Sequence, residues 1–318
     1  MTLRAMGRRA AISPALLFYN MTTIKPAIPL LRPNSGALAL VLLFALFAFF
    51  LILLSIVSPL LVKVIGRPES AMRIAMVLQD VFVFILPAIA VALVASRLPA
   101  RLLGVDKAPT LLQVLLAIAT LLCSIPAMNM IIQWNEGWHL PESMAALEEA
   151  MRQMEETAKA TTDSLMAGAS VWSMIVSVLI VGVMAGFSEE IFFRGAFQRV
   201  MQANRLNGHI AVWTAAAIFS LVHFQMFGFV PRLLLGAFFG YALWWTNSLW
   251  VPVIAHAFNN SLVVITTWRT ANDPDSILAV LNDAGSTEIT VGSVGLAIGS
   301  AILTACLLRL LYLTSRPK

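Results

Sequence analysis

Two adjacent glutamates lie within an apolar part of the sequence, where unpaired charge is costly. Glu189 and Glu190 fall inside the hydrophobic segment 171–201. An unpaired charged residue in hydrocarbon costs roughly 2.5 to 3.5 kcal/mol on insertion scales. Two later apolar segments each contain a histidine, His223 and His256. We therefore predict that the membrane interior holds carboxylates and imidazoles, which are the groups that carry out acid–base catalysis of hydrolysis.

The spacing of the first motif assigns different tasks to its two carboxylates. On a helix, Glu190 and Arg194 are i,i+4 neighbours, so the arginine can keep Glu190 ionised and oriented. Glu189 is rotated by about 100° from Glu190 and can face a different cavity. Glu189 is therefore the candidate general base, and Glu190 with Arg194 is expected to shape the site.

Two further pairs share the i,i+4 spacing. Phe219 and His223 form one pair, and His256 and Asn260 form the other, so each pair occupies one helix face. Imidazole and carboxamide groups can donate hydrogen bonds to the oxyanion that forms when water attacks a carbonyl. Such a donor contributes on the order of 3 kcal/mol.

The composition indicates a polytopic membrane protein. The chain is 59% hydrophobic and 12% charged, whereas soluble domains average about 45 to 50% and about 25%. Stretches of about 20 apolar residues cross a bilayer as helices. We predict an all-α bundle of about eight transmembrane helices, near 37–62, 74–96, 111–133, 171–201, 209–227, 230–246, 249–268 and 291–313.

The charges predict an orientation. The net charge is +5, from 21 basic and 16 acidic residues, and short basic loops stay in the cytoplasm. Basic residues follow the second and fourth stretches and close the chain, whereas 134–169 and 269–290 are acidic. This pattern places both termini in the cytoplasm and does not imply nucleic acid. Three basic residues between the first two stretches depart from it: Lys63, Arg67 and Arg73.

The same features divide the chain into five parts. They are an N-terminal cytoplasmic segment, 1–36; three transmembrane helices, 37–133; an acidic extracytoplasmic loop with an amphipathic helix, 134–169; a catalytic core, 171–268; and an acidic loop with a final helix, 269–318. The amphipathic helix is expected either to tie its neighbours together at the surface or to cap a cavity. Asp80, in the second stretch, is expected to pair with a neighbour rather than to form an ion site.

The three motifs together resemble a known family. Glu189-Glu190-Ile-Phe-Phe-Arg194 matches an EExxxR signature, Phe219-Ser-Leu-Val-His223 an FxxxH signature, and His256-Ala-Phe-Asn-Asn260 an HxxxN signature. In this order, on separate helices, they resemble the CPBP family. That family comprises CAAX prenyl proteases, the Rce1-like or Abi group, and bacteriocin-processing or self-immunity proteins. The resemblance covers roughly residues 171–268.

The resemblance implies roles for the matched residues. Glu189 would activate water with His223, and His256 and Asn260 would bind the oxyanion. In an alternative account, Glu189, His223, His256 and Asn260 would hold a divalent metal such as zinc. The HExxH spacing, in which one helix supplies two zinc ligands, is absent, so the sequence leaves metal dependence open. No organic cofactor is implied.

The function expected from these residues is intramembrane proteolysis. The substrate would be a membrane protein or a lipidated, CAAX-like peptide that enters from the bilayer, and the enzyme would be a multi-pass protein of a bacterial plasma membrane. The alternative is a non-catalytic membrane scaffold or a bacteriocin self-immunity protein. Neither the substrate nor the oligomeric state follows from the sequence.

One detail conflicts with a simple topology. If the fifth stretch begins at the membrane boundary near His209, His223 would lie about 20 Å deeper, at 1.5 Å per residue. Glu189 is expected in the cytoplasmic half of its helix. Either the fifth helix begins further outside the bilayer or it tilts strongly, and we favour the first.

Overall fold

The computed structural model describes residues 31–32, 35–166, 170–273 and 290–315. Within these ranges every regular element is a helix, which confirms the predicted all-α fold. The predicted N-terminal segment 1–36 lies almost wholly outside the described residues, as does most of the acidic loop 269–290.

We number the helices of the described ranges in chain order. They are α1, Gly36–Ile65; α2, Pro68–Ala95; α3, Pro99–Leu103; α4, Leu111–Glu136; α5, Ala145–Met166; α6, Val171–Ala203; α7, Gly208–Leu221; α8, Phe229–Thr246; α9, Trp250–Asn272; and α10, Val291–Ser315. Short 3-10 turns precede α5 and α8, at Glu142–Met144 and Met226–Gly228.

Six of the described helices are long and apolar enough to cross a membrane: α1, α2, α4, α6, α8 with its preceding turn, and α10. Helix α7 is apolar but has 14 residues. Helix α9 has 23 residues, but polar groups that include His256, Asn259 and Asn260 lower its hydropathy. Each of the eight predicted stretches thus coincides with a helix, and six of them fulfil the length and hydropathy requirements of a span.

The core lies where α1 and α2 pack against α6. Phe192 of α6 contacts Phe44, Phe47 and Phe84 with ring centroids 6.2, 5.3 and 5.6 Å away. It also packs edge-on against Phe193 at 4.9 Å. Aromatic rings in such geometries gain about 0.5 to 1.5 kcal/mol per pair beyond area burial. This cluster fixes α6, the helix that carries the two glutamates.

Helix α6 changes its winding on both sides of the glutamates. Val178–Met184 and Ile191–Gln198 are π-helical, whereas Ala185–Glu190 between them is α-helical. Hydrogen bonds in a π-helix join residues five apart, and such turns occur frequently at functional sites. The angular positions of residues along α6 therefore depart from those of a uniform α-helix.

Two glycines let α6 approach α9 closely. A Cβ atom at Gly182 would lie 2.3 Å from the Ser261 hydroxyl oxygen, and one at Gly186 would lie 2.8 Å from the backbone nitrogen of Ala257. The contact at Gly186 is with backbone, so the neighbouring residue has little freedom to move away. The glycines thus bring the glutamates of α6 beside the histidine of α9.

Replacing Gly186 with alanine is expected to force α6 and α9 apart. Overpacking of this kind costs about 1 to 3 kcal/mol, so the melting temperature in detergent should fall. The matched control is Gly295→Ala in α10, because a Cβ there would meet nothing within 4 Å and alanine favours helix. A Gly186 variant as stable as the Gly295 variant would contradict this packing.

Helix α5 lies within the segment predicted to contain a helix, and polar contacts hold it to the bundle. Glu148 accepts a hydrogen bond from the Leu140 backbone N–H at 2.7 Å and pairs with Arg152 at 2.8 Å. The Leu140 amide, followed by Arg152, lowers the pKa of Glu148 to about 2. Two turns beyond Glu148, Glu155 accepts a hydrogen bond from the Phe227 backbone N–H at 2.9 Å. Helix α5 is therefore fastened to the turn before α8.

Candidate active site

The predicted catalytic residues line one cavity of about 970 Å³. Glu189 of α6, His223 after α7, and His256 and Asn260 of α9 all contribute to its wall, as does Phe219 of α7. The rest of the wall comes from α4, α5 and the start of α8. Residues far apart in the sequence thus meet at one site, as the motifs predicted.

The two glutamates occupy different environments. The side chain of Glu189 is 17% exposed, whereas that of Glu190 is fully buried. Only Glu189 lines the cavity. The rotation between neighbouring helical residues therefore separates them as expected, and Glu189 is the carboxylate that can meet a substrate.

Glu190 is bonded to two partners through one oxygen. Its Oε1 accepts a hydrogen bond from Arg194 Nη1 at 2.7 Å and another from His256 Nδ1 at 2.9 Å. The sequence predicted the first contact, which lies within one helix. The second joins α6 to α9 and was not predicted. Glu190 therefore connects the EExxxR motif to the HxxxN motif behind the cavity.

Arg194 is fully buried in an aromatic shell. Its Nη2 donates to the Gly236 carbonyl at 2.9 Å. Its guanidinium carbon lies 4.4 Å from the centroid of Phe219, 5.5 Å from that of Phe239 and 5.9 Å from that of Phe193. A desolvated cation over aromatic faces gains about 2 kcal/mol or more. These contacts, together with Glu190, hold a charge that would otherwise be costly to bury.

His256 is fixed in position and in tautomer. Because an ionised carboxylate only accepts hydrogen bonds, the Nδ1 that faces Glu190 must carry a proton. The ring stacks on Phe239 with a centroid distance of 4.7 Å and an interplanar angle of 19°. Nε2 then faces Glu189, whose Oε2 is 3.7 Å away. A neutral His256 accepts at Nε2, and a protonated one donates there.

His223 is oriented by its own helix end. Its Nδ1 contacts the Phe219 carbonyl oxygen at 2.7 Å. Since a carbonyl only accepts, Nδ1 is the donor, and a neutral ring presents an acceptor at Nε2. The ring also packs edge-on against Phe219 at 5.1 Å.

The structure removes the conflict over the depth of His223. Helix α7 ends at Leu221, and Phe224 turns the chain with a left-handed φ of 54°. His223 lies in this turn and lines the same cavity as Glu189. The conflict arose from the assumption that the fifth stretch begins at the membrane boundary near His209, and the cavity shared by His223 and Glu189 argues against that assumption.

Asn260 faces α6 across the glycine contact. Its Nδ2 donates to the Val181 carbonyl at 3.3 Å, and its Oδ1 accepts from Asn259 at 3.4 Å. Both contacts are long for amide hydrogen bonds. The carboxamide can therefore exchange them for a shorter bond to a substrate oxygen.

The site contains residue types that can bind a metal, but their side chains are not grouped around one point. Imidazoles held by a carboxylate and a carbonyl at Nδ1 resemble metal-binding histidines. Glu189 and His256 approach each other, but in the described parts of the chain no three His, Cys, Asp or Glu side chains converge to hold an ion. Glu189, His223 and His256 thus do not form a ready-made three-ligand metal site in this arrangement.

One buried contact behind the site was predicted without its partner residue. Asp80 is 4% exposed and its Oδ1 accepts from the Ser188 hydroxyl at 2.7 Å. Asp80 does pair, as expected, but its partner is the residue before Glu189. The contact joins α2 to α6 beside the general-base candidate, and no local pattern in the sequence identifies it.

Sequence reasoning missed the contribution of two cavity residues. Arg232 of α8 and Glu155 of α5 both line the cavity. Charged residues within predicted spans merit scrutiny, and Arg232 was such a signal. Glu155 lies in the predicted acidic loop 134–169, and no pattern in the sequence indicates that it accepts a hydrogen bond from the Phe227 amide.

The fold and the site define a class of protein: a polytopic helical membrane protein with a Glu/His/Asn cavity supported by a buried Glu–Arg pair. Residues 171–262 match the model of a family described as type II CAAX prenyl endopeptidase Rce1-like. This segment contains all three motifs, so the match confirms their resemblance to CAAX-type proteases.

A second comparison gives a partial match to a bacterial protein. A Bacillus subtilis (strain 168) protein described as "Uncharacterized protein YpbD" is 30% identical to this chain over 86 residues. The matched stretch covers 26% of this chain and 41% of that protein. No solved structure matches.

Proposed function

We propose that the chain is an intramembrane endopeptidase that hydrolyses a peptide bond of a membrane-associated or lipidated substrate. The observation that carries the proposal is the cavity shared by Glu189, His223, His256 and Asn260, within the segment that matches the Rce1-like family. A scaffold would have no need for four polar groups on one cavity wall, where each is costly in a membrane.

Glu189 is the general base of the proposed reaction. It accepts a proton from a water molecule while the water oxygen attacks the carbonyl carbon of the scissile peptide bond. His223 presents an acceptor at Nε2 to the same cavity and would hold or share the water proton. A positioned base of this kind contributes about 10² to 10⁴ in rate.

His256 and Asn260 stabilise the tetrahedral intermediate of the proposed reaction. The Asn260 carboxamide and a protonated His256 Nε2 donate hydrogen bonds to the oxyanion of the tetrahedral intermediate. The C–N bond then breaks, and the proton taken from water passes from Glu189 to the departing amine. The products are a new carboxyl terminus and a new amino terminus.

Glu190 and Arg194 are positioning residues in this mechanism, because neither lines the cavity. Glu190 sets the His256 tautomer through its contact with Nδ1. Arg194 in turn keeps the Glu190 carboxylate available for that contact. The two residues therefore act on the reaction through the orientation of His256.

The lining of the cavity favours an amphipathic substrate. Helix α4 contributes mainly apolar side chains, with Ser124, Asn129 and Glu136 among them, whereas α5 contributes charged and polar ones. The apolar residues are Leu121, Ile125, Met128 and Ile132, and the polar ones are Arg152, Glu155, Glu156, Lys159, Thr162 and Asp163. A lipid-attached or membrane-spanning segment next to a polar peptide would match both walls, which supports a lipidated, CAAX-like substrate class.

Hydrolysis is expected to proceed without a metal ion, because the donor side chains do not converge on one point. Purified protein should keep its activity after treatment with EDTA or 1,10-phenanthroline. Elemental analysis of the active fraction should show less than one equivalent of zinc. Stoichiometric zinc whose removal abolishes cleavage, and whose return restores it, would instead place an ion at the four cavity residues.

The proposal is tested by comparing membrane-protein termini in cells. Mass spectrometry would compare cells that carry the natural chain with cells that carry Glu189→Gln at matched abundance. Termini that disappear only with the variant would establish proteolysis and identify the substrates. Identical profiles would favour the scaffold or immunity alternative.

A further inference from the structure

Arg232 is a cationic side chain in the wall of the candidate active site. It lies in the first turn of α8 and lines the same cavity as Glu189 and His223. Gln225 holds it: Nη2 donates to the Gln225 side-chain oxygen at 2.5 Å and Nη1 to its backbone carbonyl at 3.4 Å. The guanidinium lies directly over Gly228, where a Cβ atom would be 3.0 Å from Nη2. The turn before α8 thus presents the charge in a fixed orientation.

Arg232 differs from the two other described arginines near the site because no carboxylate is paired with it. Arg194 is paired with Glu190, and Arg152 with Glu148. Within the described ranges no carboxylate oxygen lies within 4.0 Å of Arg232.

The acids whose charge reaches Arg232 are engaged elsewhere. They are Glu155 and Glu189. Glu155 accepts the Phe227 N–H, and Glu189 faces His256. A guanidinium has five N–H donors, and the contacts of Arg232 to Gln225 use two of them. Arg232 therefore has donors available for an anionic ligand in the cavity.

We infer that Arg232 binds a carboxylate of the substrate and so fixes which peptide bond reaches Glu189. This inference rests on the proposed peptidase function. A planar guanidinium binds a carboxylate through two parallel hydrogen bonds. The carboxylate is either the C-terminus of the peptide or an Asp or Glu side chain near the scissile bond.

The charges of the cavity strengthen the assignment. Glu136, Glu155, Glu156 and Asp163 also line it, as do the cations Arg152 and Lys159. Arg152 is paired with Glu148, and Arg232 is the cation held in the turn beside His223, so a substrate carboxylate near the candidate base is repelled by the acids and attracted to Arg232. Electrostatic complementarity of this kind sets register and specificity more than raw affinity. Arg232 is thus assigned as a specificity residue, distinct from the groups that act on the scissile carbonyl.

The test uses reconstituted full-length protein and synthetic peptides. N-palmitoylated peptides with randomised sequence are prepared as two pools, one with a free C-terminal carboxylate and one with a C-terminal carboxamide. Mass spectrometry measures the cleavage rate of each pool and the residue preference at each position from the cut. The proteins compared are the natural chain, Arg232→Gln, Arg232→Lys and Lys159→Gln, with Glu189→Gln as the blank.

The natural chain is expected to prefer either the free-acid pool or peptides with Asp or Glu at one fixed position. The preferred peptides should be cleaved about tenfold faster than their uncharged counterparts, which is the effect of a hydrogen bond to a charged group. Preference for the free-acid pool identifies the C-terminus, and preference for Asp or Glu in both pools identifies a side chain. Arg232→Gln should remove the preference and Arg232→Lys should keep part of it. Lys159→Gln, at another cation of the cavity wall, should retain it.

Two results would overturn the inference while leaving the peptidase intact. One is cleavage by the natural chain without any preference for a carboxylate. The other is an Arg232→Gln variant that slows all peptides equally and keeps the preference, which would indicate a role at the oxyanion. If the natural chain cleaves neither pool faster than Glu189→Gln, the proposed function fails, and the inference fails with it.

Discussion

Replacing Glu189 with glutamine is expected to stop peptide hydrolysis and leave the protein folded in the membrane. Glutamine has nearly the same size but cannot accept a proton from water, so the rate should fall by at least about 100-fold. Because the Glu189 side chain is partly exposed to the cavity, its neutral replacement leaves no buried charge without a partner. Cleavage in proteoliposomes and the melting temperature in detergent measure the two halves of this prediction.

The matched control is Glu156→Gln. Glu156 also lines the cavity, but on α5, and it takes no part in the proposed transfer of the water proton. Its variant should retain activity within a few-fold of the natural chain. Equal activity of the Glu189 and Glu156 variants would show that the cavity needs negative charge in general, or that another group is the base.

Replacing Arg194 with alanine is expected to destabilise the whole bundle. The change leaves Glu190 fully buried without its cation, and breaking a buried ion pair on one side costs about 3 to 5 kcal/mol. It also empties the space between the aromatic rings that surround the guanidinium. The melting temperature and the yield from the membrane should both fall sharply.

Arg269 offers a control with the same helical spacing at the surface. Its pair with Asp273 is also i,i+4, at 2.6 Å, but the two side chains are 45% and 40% exposed. Exposed pairs contribute about 0 to 1 kcal/mol, so Arg269→Ala should change stability little. Adding Glu190→Gln to Arg194→Ala should recover part of the loss, because it removes the stranded charge. Equal stability of the Arg194 and Arg269 variants would contradict the buried pair.

The parts of the site that could be predicted from the sequence are those fixed by local spacing. The pair Glu190–Arg194 and the different direction of Glu189 follow from the geometry of one helix. Apolar stretches of sufficient length likewise predicted where helices lie. The order of three motifs then indicated that the helices carrying them would share a cavity.

The remaining features depend on contacts between segments far apart in the chain. The bond from His256 to Glu190 spans 66 residues, and that from Ser188 to Asp80 spans 108. Such contacts need the packing of α6 against α9 and α2, which glycines and the π-helical turns of α6 adjust. No periodicity in the sequence identifies these turns. The docking of α5 through Glu155 and Phe227 is of the same kind.

The central claim is that this chain cleaves a peptide bond with a water molecule that Glu189 activates. The decisive measurement is hydrolysis in H₂¹⁸O by the purified, reconstituted protein, with the products analysed by mass spectrometry. We predict that the natural chain places one ¹⁸O atom in the new carboxyl terminus under single-turnover conditions and that Glu189→Gln yields no product above the protein-free blank. Equal amounts of product from both proteins would contradict this claim. So would the absence of product when the natural chain is given substrates whose termini depend on the chain in cells.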